Sequence, residues 1–210
     1  MTASQFSLES LKPMIDWNQP TLYYSLGMIF FNPLFWNIAA QNELHHKWIS
    51  KRVKNPYTGC YILAASIFSL GLVRDALYTQ ALRNQPLVEL LPSPFDVIVP
   101  AVMVVVGQTL VISSTWQLGI TGTFLGDYFG ILMDERVEAF PFNVLNDPMY
   151  VGSTLTFAGG ALWHKRPAGL FISVIVWIVY MIALKYEGPF TTEIYAKRER
   201  ERALKSQKSS

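Results

Sequence analysis

Four apolar stretches, each close to the length of a membrane-crossing helix, narrow the possible folds of this sequence more than any other feature. They are Leu22–Ala40, broken by Asn32-Pro33 and Asn37; Cys60–Tyr78, with Arg74-Asp75 near its end; Val97–Trp116; and Gly169–Tyr186. A helix needs about 20 apolar residues to cross about 30 Å of hydrocarbon. Inside lipid the backbone must satisfy its own hydrogen bonds, which leaves only helices and closed barrels. These stretches are continuously apolar and lack the alternation of barrel strands. The expected fold is all-α: a polytopic transmembrane helical bundle, formed by residues 1–210 as one domain.

Composition agrees. Charged residues make up 15% of the chain, against about 25% in a soluble domain. The net charge of +2 is too small to imply nucleic-acid binding. Cys60 is the single cysteine, so no intrachain disulfide can form; it reads as a small buried or lipid-facing residue. The first 20 residues are polar, hold Pro13 and Pro20, and do not look like a cleaved signal peptide.

A shorter apolar run, Val151–Trp163, precedes the turn His164-Lys165-Arg166-Pro167. It reads as the first arm of a C-terminal helical hairpin whose second arm is Gly169–Tyr186. The stretch 22–40 is open to two readings, a kinked span or a re-entrant segment, because Pro33 removes a helix donor and the asparagines are costly against lipid. Basic residues set orientation. Loop 41–59 carries Lys47, Lys51, Arg52 and Lys54, and the tail carries Lys197, Arg198, Arg200, Arg202, Lys205 and Lys208, while loop 79–96 has only Arg83. With the hairpin, loops 41–59 and 117–150 and the tail share the cytosolic side. The alternative is three spans, a dipping first stretch, and loop 117–150 on the opposite side. The tail should extend the last helix and fray from about residue 197.

Three segments could carry chemistry. Gly122, Gly126 and Gly130 recur every four residues around Asp127. On one helix they would line a face open to close packing or to a lipid headgroup. Asn146-Asp147-Pro148 signals a helix start, with Asp147 as N-cap and Pro148 in the first turn. Unfilled N–H groups there would suit a carboxylate. Glu187 precedes Gly188-Pro189 at the expected end of the last apolar helix, where a carboxylate opposes the helix dipole. A hairpin would bring Tyr150 and Glu187 to the same membrane side. His45, His46 and His164 lack metal-ligand spacing, and no metal is expected. Arg74-Asp75 reads as a local ion pair or a headgroup contact.

The strings Phe31-Asn-Pro-Leu-Phe-Trp-Asn37, Gly122-Thr-Phe-Leu-Gly-Asp-Tyr-Phe-Gly130, Phe140-Pro-Phe-Asn143, Asn146-Asp-Pro-Met-Tyr-Val-Gly-Ser153 and Pro189-Phe-Thr-Thr-Glu-Ile-Tyr195 stand in one order along nearly the whole chain. Together they resemble the class II phospholipid N-methyltransferases, the phosphatidylethanolamine methyltransferase family. Leu70-Gly-Leu-Val-Arg-Asp75 and Ile131-Leu-Met-Asp-Glu-Arg-Val137 look most similar to the fungal members of the later methylation steps.

The resemblance implies S-adenosylmethionine as methyl donor, a phospholipid acceptor in the bilayer, and a multi-pass protein of the endoplasmic reticulum or mitochondrial membrane. It implies conversion of phosphatidyl-N-methylethanolamine to the dimethyl lipid and then phosphatidylcholine. It also implies two cofactor motifs. A Gly-x-Gly in the third span reads Val105-Val106-Gly107 here, where only Gly107 matches. A Glu-Glu pair after the last span reads Glu187-Gly188 here, where only Glu187 matches. Asn146, Pro148, Tyr150 and Gly152 match a cofactor segment of the wider membrane methyltransferase group.

Amine methylation displaces the sulfonium methyl in line, and the amine must first lose its proton. Glu187 and Asp127, then Tyr150, are the candidates to accept that proton or to hold the cation. Two alternatives are an isoprenylcysteine-type carboxyl methyltransferase and a non-enzymatic lipid-binding scaffold. Product analysis would separate them.

Overall fold

In the computed structural model, which describes residues 14–134 and 137–208, six α-helices account for most of the chain. They are α1 (Pro20–His46), α2 (Ser50–Val53), α3 (Pro56–Arg83), α4 (Phe95–Thr123), α5 (Pro148–Trp163) and α6 (Pro167–Lys208). A short 3₁₀ turn, Gly126–Phe129, lies between α4 and α5. No strand occurs among the described residues. The all-α reading is therefore met.

Local chemistry sets the helix ends. Proline, whose missing N–H costs nothing in a first turn, opens α1, α3 and α5. Asn55 caps α3 by accepting from the Tyr57 N–H at 2.9 Å. The buried Glu43 carboxylate accepts from the Ile49 N–H at 2.8 Å and from the Ser50 hydroxyl, which fixes the turn into α2.

Among the described residues, three helical segments are long and apolar enough to cross a membrane: Pro56–Arg83, Phe95–Phe129 and Pro167–Ala196. With 27 residues α1 has the length, but Asn32 and Asn37 dilute its apolarity. It runs as one helix through Pro33 rather than breaking there. At about 1.5 Å per residue, the 42-residue α6 is far longer than a bilayer is thick.

The helices alternate in direction. Thr21 meets Asn84 and Asn32 meets the Leu70 carbonyl, so α1 and α3 run antiparallel. The hairpin of α5 and α6 is present, with the side chains of Ser153 and Tyr180 3.2 Å apart. One core joins Leu22, Ile29, Tyr78, Phe157, Ile172 and Val176; a second joins Ala39, Cys60, Leu63, Tyr128 and Phe129.

Glycines allow the closest approach, between α4 and α5. A Cβ on Gly107 would stand 2.5 Å from the Gly152 carbonyl oxygen, and a Cβ on Gly152 2.5 Å from the Gly107 carbonyl oxygen. Any side chain at either position would force the helices apart.

Loops 41–59 and 117–150 and the tail gather at one end of the bundle, here termed the near end. A Cβ on Gly59 would lie 2.9 Å from the Phe129 ring. The Met133 N–H donates to the Tyr195 hydroxyl at 3.2 Å, and Arg198 donates to the Asp134 carbonyl at 2.9 Å. The alternative that puts 117–150 at the opposite end does not fit these contacts.

Two expectations are corrected. Gly122, Gly126 and Gly130 do not share a helix face. The chain kinks at Gly119 (φ 63°), turns left-handed at Leu125 and closes the 3₁₀ turn at Gly130 (φ 78°). Gly122 lies in the last turn of α4, whereas Gly126 opens the 3₁₀ turn and Gly130 follows it. Nor does the last helix end at Glu187. It continues through Gly188-Pro189, so Glu187 sits within α6 and meets no opposing helix terminus.

Candidate active site

Glu187 is the centre of the near end. Its Oε1 accepts from Trp36 Nε1 at 2.8 Å and from Asn37 Nδ2 at 3.1 Å. Its Oε2 accepts from the Tyr150 hydroxyl at 2.6 Å. Three helices thus converge on one carboxylate: α1 through Trp36 and Asn37, α5 through Tyr150, and α6 through Glu187 itself. No ion pair to Glu187 occurs among the described residues. Neutral donors hold it, each contributing about 1.5–3 kcal/mol as a hydrogen bond to a charged group. A carboxylate offers about four acceptor positions. Three are filled, which leaves capacity for one further donor such as an ammonium N–H.

Helix geometry explains why these residues meet. Asn37 also donates to the Pro33 carbonyl at 3.0 Å. That back-bond orients the amide beside the proline and turns its second N–H toward Glu187. Tyr150 lies in the first turn of α5, and the hairpin brings this turn alongside the α6 segment near residue 187.

The 3₁₀ turn places Asp127 and Tyr128 within electrostatic reach of Glu187. Asp147 stands at the N-cap position of α5, but its side chain makes no cap hydrogen bond. Burial pushes its carboxyl above the ordinary aspartate value. The first-turn N–H groups of α5 are thus not closed by the Asp147 side chain. Asn146 is exposed and Pro148 buried in the same turn.

The structure joins Glu187 and Tyr150 directly, with Asp127 within electrostatic reach and Asn146 and Pro148 in the turn that opens α5. It does not bring Val105, Val106 or Gly107 into the Glu187 cluster. Val105 and Val106 are 65% and 44% exposed. Gly107 and Gly152 face one another in the tight crossing of α4 and α5, which gives both a packing role that requires no ligand. Gly188 is exposed, with no described atom within 4 Å of where a Cβ would stand. No group of His, Cys, Asp and Glu able to hold a metal occurs among the described residues.

Neither Trp36 nor Asn37 is a candidate site residue by sequence. Their signal was present: Asn37 is a polar residue inside an apolar stretch, and such residues generally face a partner within the bundle.

A family profile described as phospholipid methyltransferase matches residues 95–198. A phosphatidyl-N-methylethanolamine N-methyltransferase of Emericella nidulans is 48% identical over 93% of this chain and 96% of its own length. The chain belongs to the phospholipid methyltransferase family. Membership makes it an enzyme that methylates a phospholipid, and that reaction requires a methyl donor. The Saccharomyces cerevisiae protein of the same name is 49% identical, covering 92% of this chain and 94% of the relative. A phosphatidylethanolamine N-methyltransferase of Rattus norvegicus is 44% identical over 88% and 92%. No solved structure matches. The expected membrane-embedded phospholipid methyltransferase is therefore met at family level, and neither the prenylcysteine nor the scaffold alternative is needed.

Proposed function

We propose that the Trp36–Asn37–Tyr150–Glu187 cluster is where the phospholipid amine is methylated, with mono- and dimethylated phosphatidylethanolamine as the preferred acceptors and phosphatidylcholine as the final product. The observation that carries this reading is a carboxylate held by three neutral donors at the end of an apolar bundle. A lipid can remain in the bilayer while its headgroup reaches that end. The names of the fungal relatives support the later acceptors.

S-adenosylmethionine is the proposed donor, and when bound it supplies an electrophilic methyl on a cationic sulfonium. The residues present fit such a molecule. The first turn of α5, not capped by Asp147, suits its carboxylate, and the Glu187 carboxylate, held by neutral donors, suits a positive charge.

The protein's own residues do the rest. Glu187 uses its remaining acceptor position to hold the ammonium headgroup and to take the proton that the amine must lose. Trp36, Asn37 and Tyr150 fix the carboxylate so that it need not reorganise during the step. Orientation of this kind corresponds to effective molarities of about 10⁵–10⁸ M in well-aligned systems.

The near end is proposed to face the cytosol, in the endoplasmic reticulum membrane, because it carries the basic loop 41–59 and the basic tail. Single cysteines replacing Ser50 and Asp134 in a Cys60→Ala background should both react with an impermeant thiol reagent on intact microsomes. Labelling of residue 134 only after permeabilisation would contradict this orientation.

The acceptor assignment is tested by initial rates with labelled S-adenosylmethionine and the three lipids in matched micelles. The monomethyl and dimethyl lipids should give the higher kcat/KM. An equal or higher value for phosphatidylethanolamine would overturn the preference. Methyl incorporation into none of the three would overturn the function.

A further inference from the structure

Arg74 lies well inside α3, more than two helical turns from either end of that helix, and its side chain is only 16% exposed. A guanidinium inside an apolar span is costly and calls for a partner and a role. Asp75 supplies one partner: its Oδ1 accepts from Nε at 2.9 Å and lies 2.9 Å from Nη2. The ion pair offsets the charge but occupies only one side of the fork. Nη1 is turned to another helix, where it donates to the Tyr180 hydroxyl at 2.8 Å. The guanidinium also stacks over the Phe157 ring, 5.0 Å from its centroid.

Tyr180 links this buried cation to the methylation site. Its hydroxyl stands 3.2 Å from Ser153 Oγ on α5. Its ring meets the Tyr150 ring edge-on, with centroids 4.9 Å apart and planes at 69°. Tyr150 in turn donates to Glu187. Tyr180 and Glu187 are seven residues apart on α6, so they share one face of that helix. The Tyr150 ring rests against the first and its hydroxyl reaches the second.

We propose that Arg74 is a positioning residue for methyl transfer: by fixing Tyr180 it sets the angle of the Tyr150 ring and hence the hydrogen bond that orients Glu187. Asp75 neutralises Arg74, Phe157 and Ser153 limit the motion of the pair, and Tyr180 carries the constraint to Tyr150. This rests on the proposed role of the Glu187 cluster. Arg74 is not proposed to touch the acceptor or the donor.

The test compares wild type with Arg74→Met, Arg74→Lys, Tyr180→Phe, Tyr150→Phe and the doubles Arg74→Met/Tyr180→Phe and Arg74→Met/Tyr150→Phe, all in lipid nanodiscs. Arg74→Met and Tyr180→Phe should each lower kcat about tenfold, with KM for the monomethyl lipid within about twofold of wild type. Arg74→Lys, which keeps a charged donor, should recover most of that loss. Each double should be little worse than its more impaired single, because all three residues act through one hydrogen bond.

Wild-type kcat in Tyr180→Phe, or losses that multiply independently in the doubles, would overturn the proposal. If Arg74→Met fails to fold, Tyr180→Phe decides, since it removes only one oxygen. Thermal unfolding of the Tyr180→Phe and Tyr150→Phe singles and their double reads the same link without turnover. Non-additive melting shifts support it and additive shifts overturn it. Absence of methyl transfer by the wild-type protein would count against the proposed function alone and leave this second readout intact.

Discussion

The two ends of the bundle use polar residues in opposite ways. At the far end, opposite charges and backbone groups tie segments distant in sequence. Lys165 reaches Glu89 and Asp96, both at 3.1 Å. Arg166 donates to the Gln85 carbonyl, and Gln85 accepts from the Asp16 N–H at 2.8 Å. The Val88 N–H closes on the Lys165 carbonyl at 2.9 Å. Each of these groups has its partner within the fold. At the near end, Glu187 has neutral donors and an open acceptor position. Ionic ties fasten a turn, whereas a carboxylate held by neutral groups keeps its charge available. The contrast separates polar residues that hold the hairpin from those that act on a ligand.

That contrast can be broken by changes of graded size. The largest effect should come from Gly152→Leu, which drives a side chain into the Gly107 carbonyl and separates α5 from α4. Little folded protein should survive extraction in mild detergent, as a size-exclusion profile would show. Next, Tyr150→Phe removes one donor from Glu187 and should lower kcat about tenfold to a hundredfold, together with a measurable drop in melting temperature, while the protein stays folded.

Smaller changes sharpen the comparison. Asn37→Ala should lower kcat by about three- to tenfold, because Trp36 still holds Oε1. Gly188→Glu should be tolerated, with kcat within about threefold of wild type, since Gly188 is exposed and a Cβ there meets no described atom within 4 Å. The smallest effect on turnover belongs to the far end. Lys165→Met should leave kcat unchanged and lower the melting temperature only slightly. The hydrogen bonds that Lys165 donates to Glu89 and then to Asp96 raise its pKa above the ordinary value. A raised lysine pKa means the folded state holds its proton more tightly. The tie should therefore contribute fully below the ordinary lysine range and fade as pH rises through the raised value. The Lys165→Met melting difference should shrink over that alkaline window and be constant near neutrality.

Much of this was legible in the sequence because lipid leaves few options. Apolar length gave the spans, and the turn 164–167 gave the hairpin. The hairpin then placed Tyr150 beside Glu187. Residues 117–130 were less legible. Spacing of Gly122, Gly126 and Gly130 fits one helix face, but Gly119 and Gly130 adopt positive φ and Leu125 a left-handed turn, so the chain folds back instead. Pro189 looked like a helix terminator, yet α6 continues through it, as helices can when neighbouring groups accommodate a proline. The short motif around Gly107 could not reveal that its glycine faces Gly152, because a close crossing and a ligand contact favour the same residue. The roles of Trp36 and Arg74 depend on partners 151 and 106 residues away, and no local pattern records such distances.

The central claim is that the Glu187 carboxylate performs the methyl-transfer work of the near end. Single-turnover methylation of the monomethyl lipid by Glu187→Gln, with Glu193→Gln on the exposed face of the same helix as control, tests it most directly. The account predicts a loss of about a hundredfold or more in the rate constant for Glu187→Gln, in a protein that still unfolds in one cooperative transition, and a Glu193→Gln rate within about twofold of wild type. A Glu187→Gln protein that methylates the lipid at the wild-type rate would contradict it.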